Sequence, residues 1–157
     1  MTSRLLYLCQ HGDALASEVD PDRPLSERGT ADVNNMAAAL SGRVGIQTVM
    51  HSGKTRARQT AGIFHEKLAP EASIQSESGL APNDDVGDFI LRFGTRDTNL
   101  MVVSHLPFVG NLASRLLGQE ERDILAFQPG AVAALIRGGN DEEWLLAWML
   151  TPELLSN

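Results

Sequence analysis

Three short runs built almost wholly of strand-forming apolar residues, LLYLC (5–9), IQTVM (46–50) and NLMVVS (99–104), constrain this chain more than any other feature. They lack the polar alternation of a half-exposed strand, so they predict strands covered on both faces. Strands of that kind belong to parallel sheets, which need helical crossovers, and the segments between them have helical spacing. SERGTADVNNMAAALSG (26–42) opens on Ser26, a good N-cap. It places Val33, Met36, Ala37 and Leu40 on one stripe and stops at Gly42. KTRARQTAGIFHEKL (54–68) and DVGDFILRF (85–93), which is followed by Gly94, read the same way. PFVGNLASRLLG (107–118) has a proline suited to a first helical turn and a closing glycine. The C-terminal part differs: AVAALI (131–136) and EWLLAWML (143–150), joined by the turn-rich RGGNDE, predict an antiparallel hairpin. The expected fold class is therefore α/β, a mostly parallel sheet covered on both faces with that hairpin added. No repeat or linker divides the chain, and residues 1–157 read as a single domain.

A net charge of −7 with a pI near 5.0 argues against general affinity for nucleic acid or an anionic membrane, since each needs a basic face. A local cationic pocket remains compatible with it. Cys9 is the one cysteine and lies inside the first apolar run, so no intramolecular disulfide can form and a reducing compartment is expected. MTSRLLYLC is too short an apolar start for a signal peptide, and no run approaches the roughly 20 apolar residues of a membrane span. The expected location is the cytoplasm.

Ligands of open α/β sheets bind at the carboxyl ends of the strands. His11 follows the first strand there, and His105 follows LMVVS, directly ahead of the Pro107 helix. Each histidine by itself is compatible with a structural or surface role. Two at equivalent strand ends point to one crevice. Gly12 offers a backbone that a ligand can approach closely, and the helix starting near Pro107 directs free N–H groups the same way, which suits an anion. After the second strand, HSGKTRARQTA has a Ser52–Gly53 turn and then Lys54, Arg56 and Arg58 at a helix start. Cations there oppose the helix dipole, so either a bound phosphate or a solvated basic face accounts for them. His51 approaches the same strand end, whereas His65, beside Glu66 within a helix, reads as a surface residue.

CQHG (9–12), SGKTRARQT (52–60) and VVSHLPFVG (102–110) together resemble the histidine phosphatase superfamily, also called phosphoglycerate mutase-like. Within it, the short length, DPDRPLSERG (20–29) and the closing WMLTP (148–152) are most similar to the SixA-type phosphohistidine phosphatases. The likeness runs from Leu5 to about Pro152 and rests on the order and spacing of the motifs, each of which alone is weak. It implies a three-layer α/β/α sandwich. By resemblance His11 is the nucleophile that becomes phosphorylated, Arg56 binds phosphate and His105 contacts the phosphoryl oxygens during transfer. Gln10 stands at a phosphate-binding position where the family has arginine. A guanidinium gives two charge-assisted bonds to phosphate and an amide only neutral ones, about 1.5–3 against 0.5–1.5 kcal/mol each.

These expectations assemble into a metal-independent and cofactor-independent phosphatase in which neutral His11 attacks phosphorus in line and water hydrolyses the phosphohistidine. The chain lacks the clustered carboxylates of a magnesium phosphatase and zinc-ligand spacing. Arg56 and His105 would lower the His11 pKa from about 6.5. For the proton donor the loop GLAPNDDVGD offers Asp84, Asp85 and Asp88, and Asp13 lies near the nucleophile; Asp84 also reads as a helix cap. An imidazole leaves with little acid assistance and an alkoxide does not, so the expected substrate is a phosphohistidine on a signalling or phosphotransfer protein. A phosphatase of small phosphate esters and a phosphate-binding regulatory module weakened by Gln10 are the alternatives.

Overall fold

The computed structural model describes residues 4–137 and 143–156. Six strands form one sheet: β1 (Arg4–Gln10), β2 (Thr48–His51), β3 (Ser73–Ser76), β4 (Leu100–Ser104), β5 (Val132–Arg137) and β6 (Trp144–Leu150). Their order across the sheet is β3-β2-β4-β1-β5-β6. β1 to β4 run parallel, whereas β5 is antiparallel to β1 and β6 to β5. The antiparallel pair expected at the C-terminus is present, and the turn expected between its strands lies at 138–142, outside the described residues.

Side chains alternate across this sheet, and each face is covered by two helices. Tyr7, Cys9, Val49, Met101 and Val103 pack on one face beneath α1 (Glu27–Leu40) and α2 (Thr55–Leu68). Leu6, Leu8, Met50, Leu100 and Val102 pack on the other beneath α3 (Val86–Phe93) and α4 (Phe108–Leu116). The result is a three-layer α/β/α sandwich. The strands formed from these runs are buried on both faces: every residue of β2 and β4, and every residue of β1 from Leu6 onward; in the second run the strand begins at Thr48, after the exposed Gln47. β3 carries no apolar run because it is an exposed edge strand, SIQS, recruited by its pairing with β2.

Local signals fix the helix starts. Ser26 caps α1 by accepting from the Gly29 amide, as its position predicts. Asp85, one residue after the predicted cap Asp84, caps α3 by accepting from Gly87 N, whereas Asp84 accepts from Ala81 N in the preceding turn. Pro107 stands at the cap of α4, one position before the first helical turn.

The sheet order creates the site. β1 and β4 are neighbours, but β1 continues through α1 on one face towards β2, and β4 continues through α4 on the other towards β5. Their outgoing loops diverge and leave a crevice at the carboxyl edge, the usual ligand position in open α/β sheets.

Candidate active site

His11 and His105 occupy that crevice. Gln10 pairs with Ser104 across β1 and β4, and His11 N donates to Ser104 O at 3.0 Å, which carries the ladder one residue beyond the strand. The two imidazoles consequently stand with ring centroids 4.9 Å apart.

The hydrogen bonds assign the His11 tautomer. Its Nδ1 lies 2.7 Å from Gly12 O, a group that can only accept, so Nδ1 carries the proton. Nε2 is left with a lone pair, towards which Arg56 Nε donates at 3.2 Å. Burial holds the His11 pKa far below 6.5, at about 4. Arg56 and Arg23 push in the same direction, and the Gly12 carbonyl and Asp13 oppose them. His105 is lower still, at about 3, through burial first and then through His11, Arg56, Lys54 and Arg23. Both rings are therefore neutral near pH 7. The cationic surroundings of the site come from Arg56, Arg23 and Lys54, and His105 adds no charge there.

Arg56 is placed by the rest of its own motif. Thr60 Oγ1 donates to Arg56 O at 2.8 Å and accepts from Gly12 N at 3.0 Å, which ties the first turns of α2 to the His11 loop. Gln59 Oε1 accepts from Leu25 N at 2.8 Å and binds the same helix to the 14–25 loop. α2 starts at Lys54 without a side-chain cap or an acidic residue in its first turn, so its positive end stays uncompensated beside the crevice.

The structure gives Gly12 a different role from close approach to a ligand. Gly12 is buried, and a Cβ there would lie 2.8 Å from Val33 Cγ2 and 3.2 Å from Gly29 O. A Cβ on Gly29 would lie 2.0 Å from Asp13 O. Two facing glycines thus let the 12–13 loop press onto α1, and that contact holds the His11 backbone in place.

Ser52, read from sequence only as a turn residue, has its Oγ 2.7 Å from His105 Nε2 and accepts there from Lys54 N at 3.3 Å. His105 Nδ1 and Gln10 Oε1 are buried without a partner among the described atoms. Arg23, within the DPDRPLSERG motif, is a site residue that the sequence reading misses. It has φ +48°, a conformation uncommon for a residue with a side chain, and its Nε donates to Leu15 O at 3.0 Å. Its charge reaches His11, Arg56 and His105 alike. The arginine two residues after the Asp-Pro turn was the available signal.

The remaining candidates separate. Asp13 stays at the site, with Oδ2 accepting from Ser26 Oγ at 2.6 Å and its charge felt by His11. Asp84 serves its turn, Asp85 caps α3, and Asp88 lies 3.5 Å from Arg92. His51 is buried and accepts from Gly53 N at 3.1 Å, and His65 lies 2.8 Å from Ala72 O, away from the crevice. Cys9 is buried within the core cluster, and its desolvated thiol has a raised pKa. Among the described residues no group of three or more His, Cys, Asp or Glu is arranged to hold a metal ion.

The sequence profile of the histidine phosphatase superfamily (branch 1) matches residues 6–83. Phosphohistidine phosphatase SixA of Escherichia coli (strain K12) is 31% identical over 153 residues, covering 94% of this chain and 93% of that protein. The chain belongs to the histidine phosphatase superfamily. This superfamily member superposes on the protein histidine phosphatase SixA complexed with tungstate with a TM-score of 0.82. The identity there is 29%, and coverage is 97% of this chain and 99% of that one. It shares its fold with the alpha-ribazole phosphatase from Shigella flexneri at a TM-score of 0.73 and 18% identity, over 94% and 96% of the two chains. The phosphoglycerate mutase-like sandwich implied by the motifs is thus the fold observed.

Proposed function

We propose that this protein is a phosphohistidine phosphatase that removes phosphate from a histidine of a phosphotransfer protein through a phosphorylated His11. The observation that carries this reading is the His11 imidazole itself, neutral, with its Nε2 lone pair held in the crevice beside Arg56 Nε. That lone pair attacks phosphorus in line, and the P–N bond to the substrate imidazole breaks as the leaving nitrogen takes a proton from solvent water, a proton returned when water later attacks the phosphorus. Water then attacks the phosphorus on His11, giving inorganic phosphate and returning the neutral ring. Arg56 and Arg23 balance the phosphoryl charge, while Ser52 holds the His105 ring at the same crevice. No step is routed through a metal.

The engagement of the two candidate acids supports a phosphohistidine as the substrate. Asp84 is engaged in its turn, and Asp13 is held by the Ser26 hydroxyl, so neither stands free as a strong donor to a leaving alkoxide. A phosphoramidate needs far less help, because its imidazole is protonable near pH 6.5. The likeness to SixA, a phosphohistidine phosphatase by name, supports the same class. Tungstate, a tetrahedral oxyanion like phosphate, is bound in the SixA structure.

The test is transfer from a protein labelled with radioactive phosphate on histidine. Wild type should become transiently labelled and release phosphate, and His11→Ala should do neither. Release from small esters without any release from phosphohistidine would transfer the assignment to an ester phosphatase. Binding of the labelled protein with no release would make this a binding module.

A further inference from the structure

α4 runs down from the carboxyl edge, and the segment after it climbs back to the same edge before β5 begins at Val132. Between that returning segment and the start of α4 lies a groove of about 330 Å³, lined by Leu106, Gly110, Asp123, Ile124, Leu125 and Phe127. It begins at the residue directly following His105. Leu106 is 43% exposed and Ile124 36% exposed, large apolar side chains left open in the groove. Gly110 keeps the floor low, since a Cβ there would meet Asp123 Oδ1 at 3.3 Å and Leu106 Cδ2 at 3.4 Å. Among the described residues Asp123 is the only charged one lining it, whereas the α2 side of the crevice carries Lys54 and Arg56.

We propose that this groove is the docking subsite for the protein that carries the phosphohistidine, taking an apolar side chain of that partner on Leu106 and Ile124 and a neighbouring lysine or arginine on Asp123. The inference rests on the phosphohistidine phosphatase reading and adds how the substrate protein is chosen. In-line attack by His11 Nε2 leaves the departing imidazole on the far side of the phosphorus, so the rest of the substrate lies over the crevice rim. The cations of the α2 side attract the phosphoryl group of any substrate and cannot discriminate among proteins. The groove provides the other half of recognition, an apolar surface to be covered with an opposite charge beside it.

The experiment compares free phosphoramidate with two synthetic peptides phosphorylated on histidine. One peptide carries leucine and lysine within a helical turn of the phosphohistidine, and the other carries glycine and glutamate there. Wild type should show kcat/KM at least about tenfold higher on the first peptide. Asp123→Lys should reverse the preference towards the glutamate peptide, and Ile124→Ser should remove most of the advantage of the leucine peptide. Both variants should hydrolyse phosphoramidate within about twofold of wild type, which also shows that they fold. Equal rates of wild type on the two peptides would overturn the subsite, as would variants that lower both peptides alike. Hydrolysis of phosphoramidate with neither peptide accepted would overturn it while leaving the phosphatase reading in place. Failure on phosphoramidate as well would remove both.

Discussion

Arg56 Nε lies 3.2 Å from His11 Nε2, a guanidinium donating to the lone pair that the Gly12 carbonyl leaves on the opposite nitrogen of the ring. The contact joins α2 to the end of β1 and does so with the one atom of His11 able to attack phosphorus. An oxyanion entering between the two would take the Arg56 hydrogen bond and free the lone pair. Arg56→Ala should therefore lower kcat by about a hundredfold to a thousandfold, the usual cost of removing a donor aimed at developing charge. Arg56→Lys should recover only part of it, because an ammonium does not reproduce the fork. Single-turnover phosphoryl transfer to His11 would measure the loss. A fall of less than about threefold would place Arg56 outside the reaction.

The acid limb of activity should lie far below the ordinary histidine range. His11 titrates near 4 and His105 near 3, so the attacking ring stays neutral from pH 7 down to about pH 5. A kcat/KM profile on phosphoramidate, corrected for the ionisation of the substrate, should show no loss assignable to the enzyme until about pH 5. An enzyme pKa near 6.5 in that profile would contradict the half-buried, neutral His11.

Stability should respond to the same two rings. Their folded pKa values lie below the unfolded value of about 6.5, so the unfolded chain binds more protons between the two. Their stabilisation is complete above about pH 6.5 and is lost as pH falls through to about 4 and 3. Urea midpoints measured at about pH 7 and pH 4.5 should differ more in wild type than in His105→Asn.

Gln10→Arg should raise turnover. Gln10 is buried at the end of β1 with Oε1 unpartnered, directly before His11 and paired with Ser104, the residue before His105. Replacing neutral by charge-assisted hydrogen bonds gains about 1–1.5 kcal/mol, or roughly tenfold in rate. Phosphoramidate kinetics and inhibition by inorganic phosphate would both report it. Unchanged kcat and unchanged phosphate inhibition would show that position 10 does not face the phosphoryl group.

Gly29→Ala should destabilise the fold and disturb the site together. Its Cβ would lie 2.0 Å from Asp13 O, a backbone atom that cannot move without carrying the His11 loop with it. Overpacking of this kind costs about 1–3 kcal/mol, and at this chain length each kcal/mol lowers the thermal midpoint by about 2–4 °C. Calorimetry and kcat should fall together. An unshifted midpoint would mean that the loop does not rest on α1.

By itself, the sequence determined the layers and the ends of the elements that matter for the site. Apolar runs such as LMVVS can be satisfied only between two covering layers, and Ser26 and Gly42 mark local chemistry that acts within a few residues. His11 and His105 were legible for the same reason, each following a strand at the edge where ligands bind, whereas Arg56 was set apart from Lys54 and Arg58 only by the resemblance of its motif. Only the tertiary structure decided what depends on distant chain segments meeting. β3 is a strand because β2 offers it a ladder, and its exposed SIQS has no apolar pattern to reveal it. Thr60 and Gln59 hold Arg56 through partners 48 and 34 residues away, at Gly12 and Leu25. Gly12 looked like an opening for a ligand and is the bed of α1, because the space beside a glycine is defined by whatever packs there. Residue type and spacing state which chemistry is available; the neighbours brought together by folding set its geometry, charge and protonation.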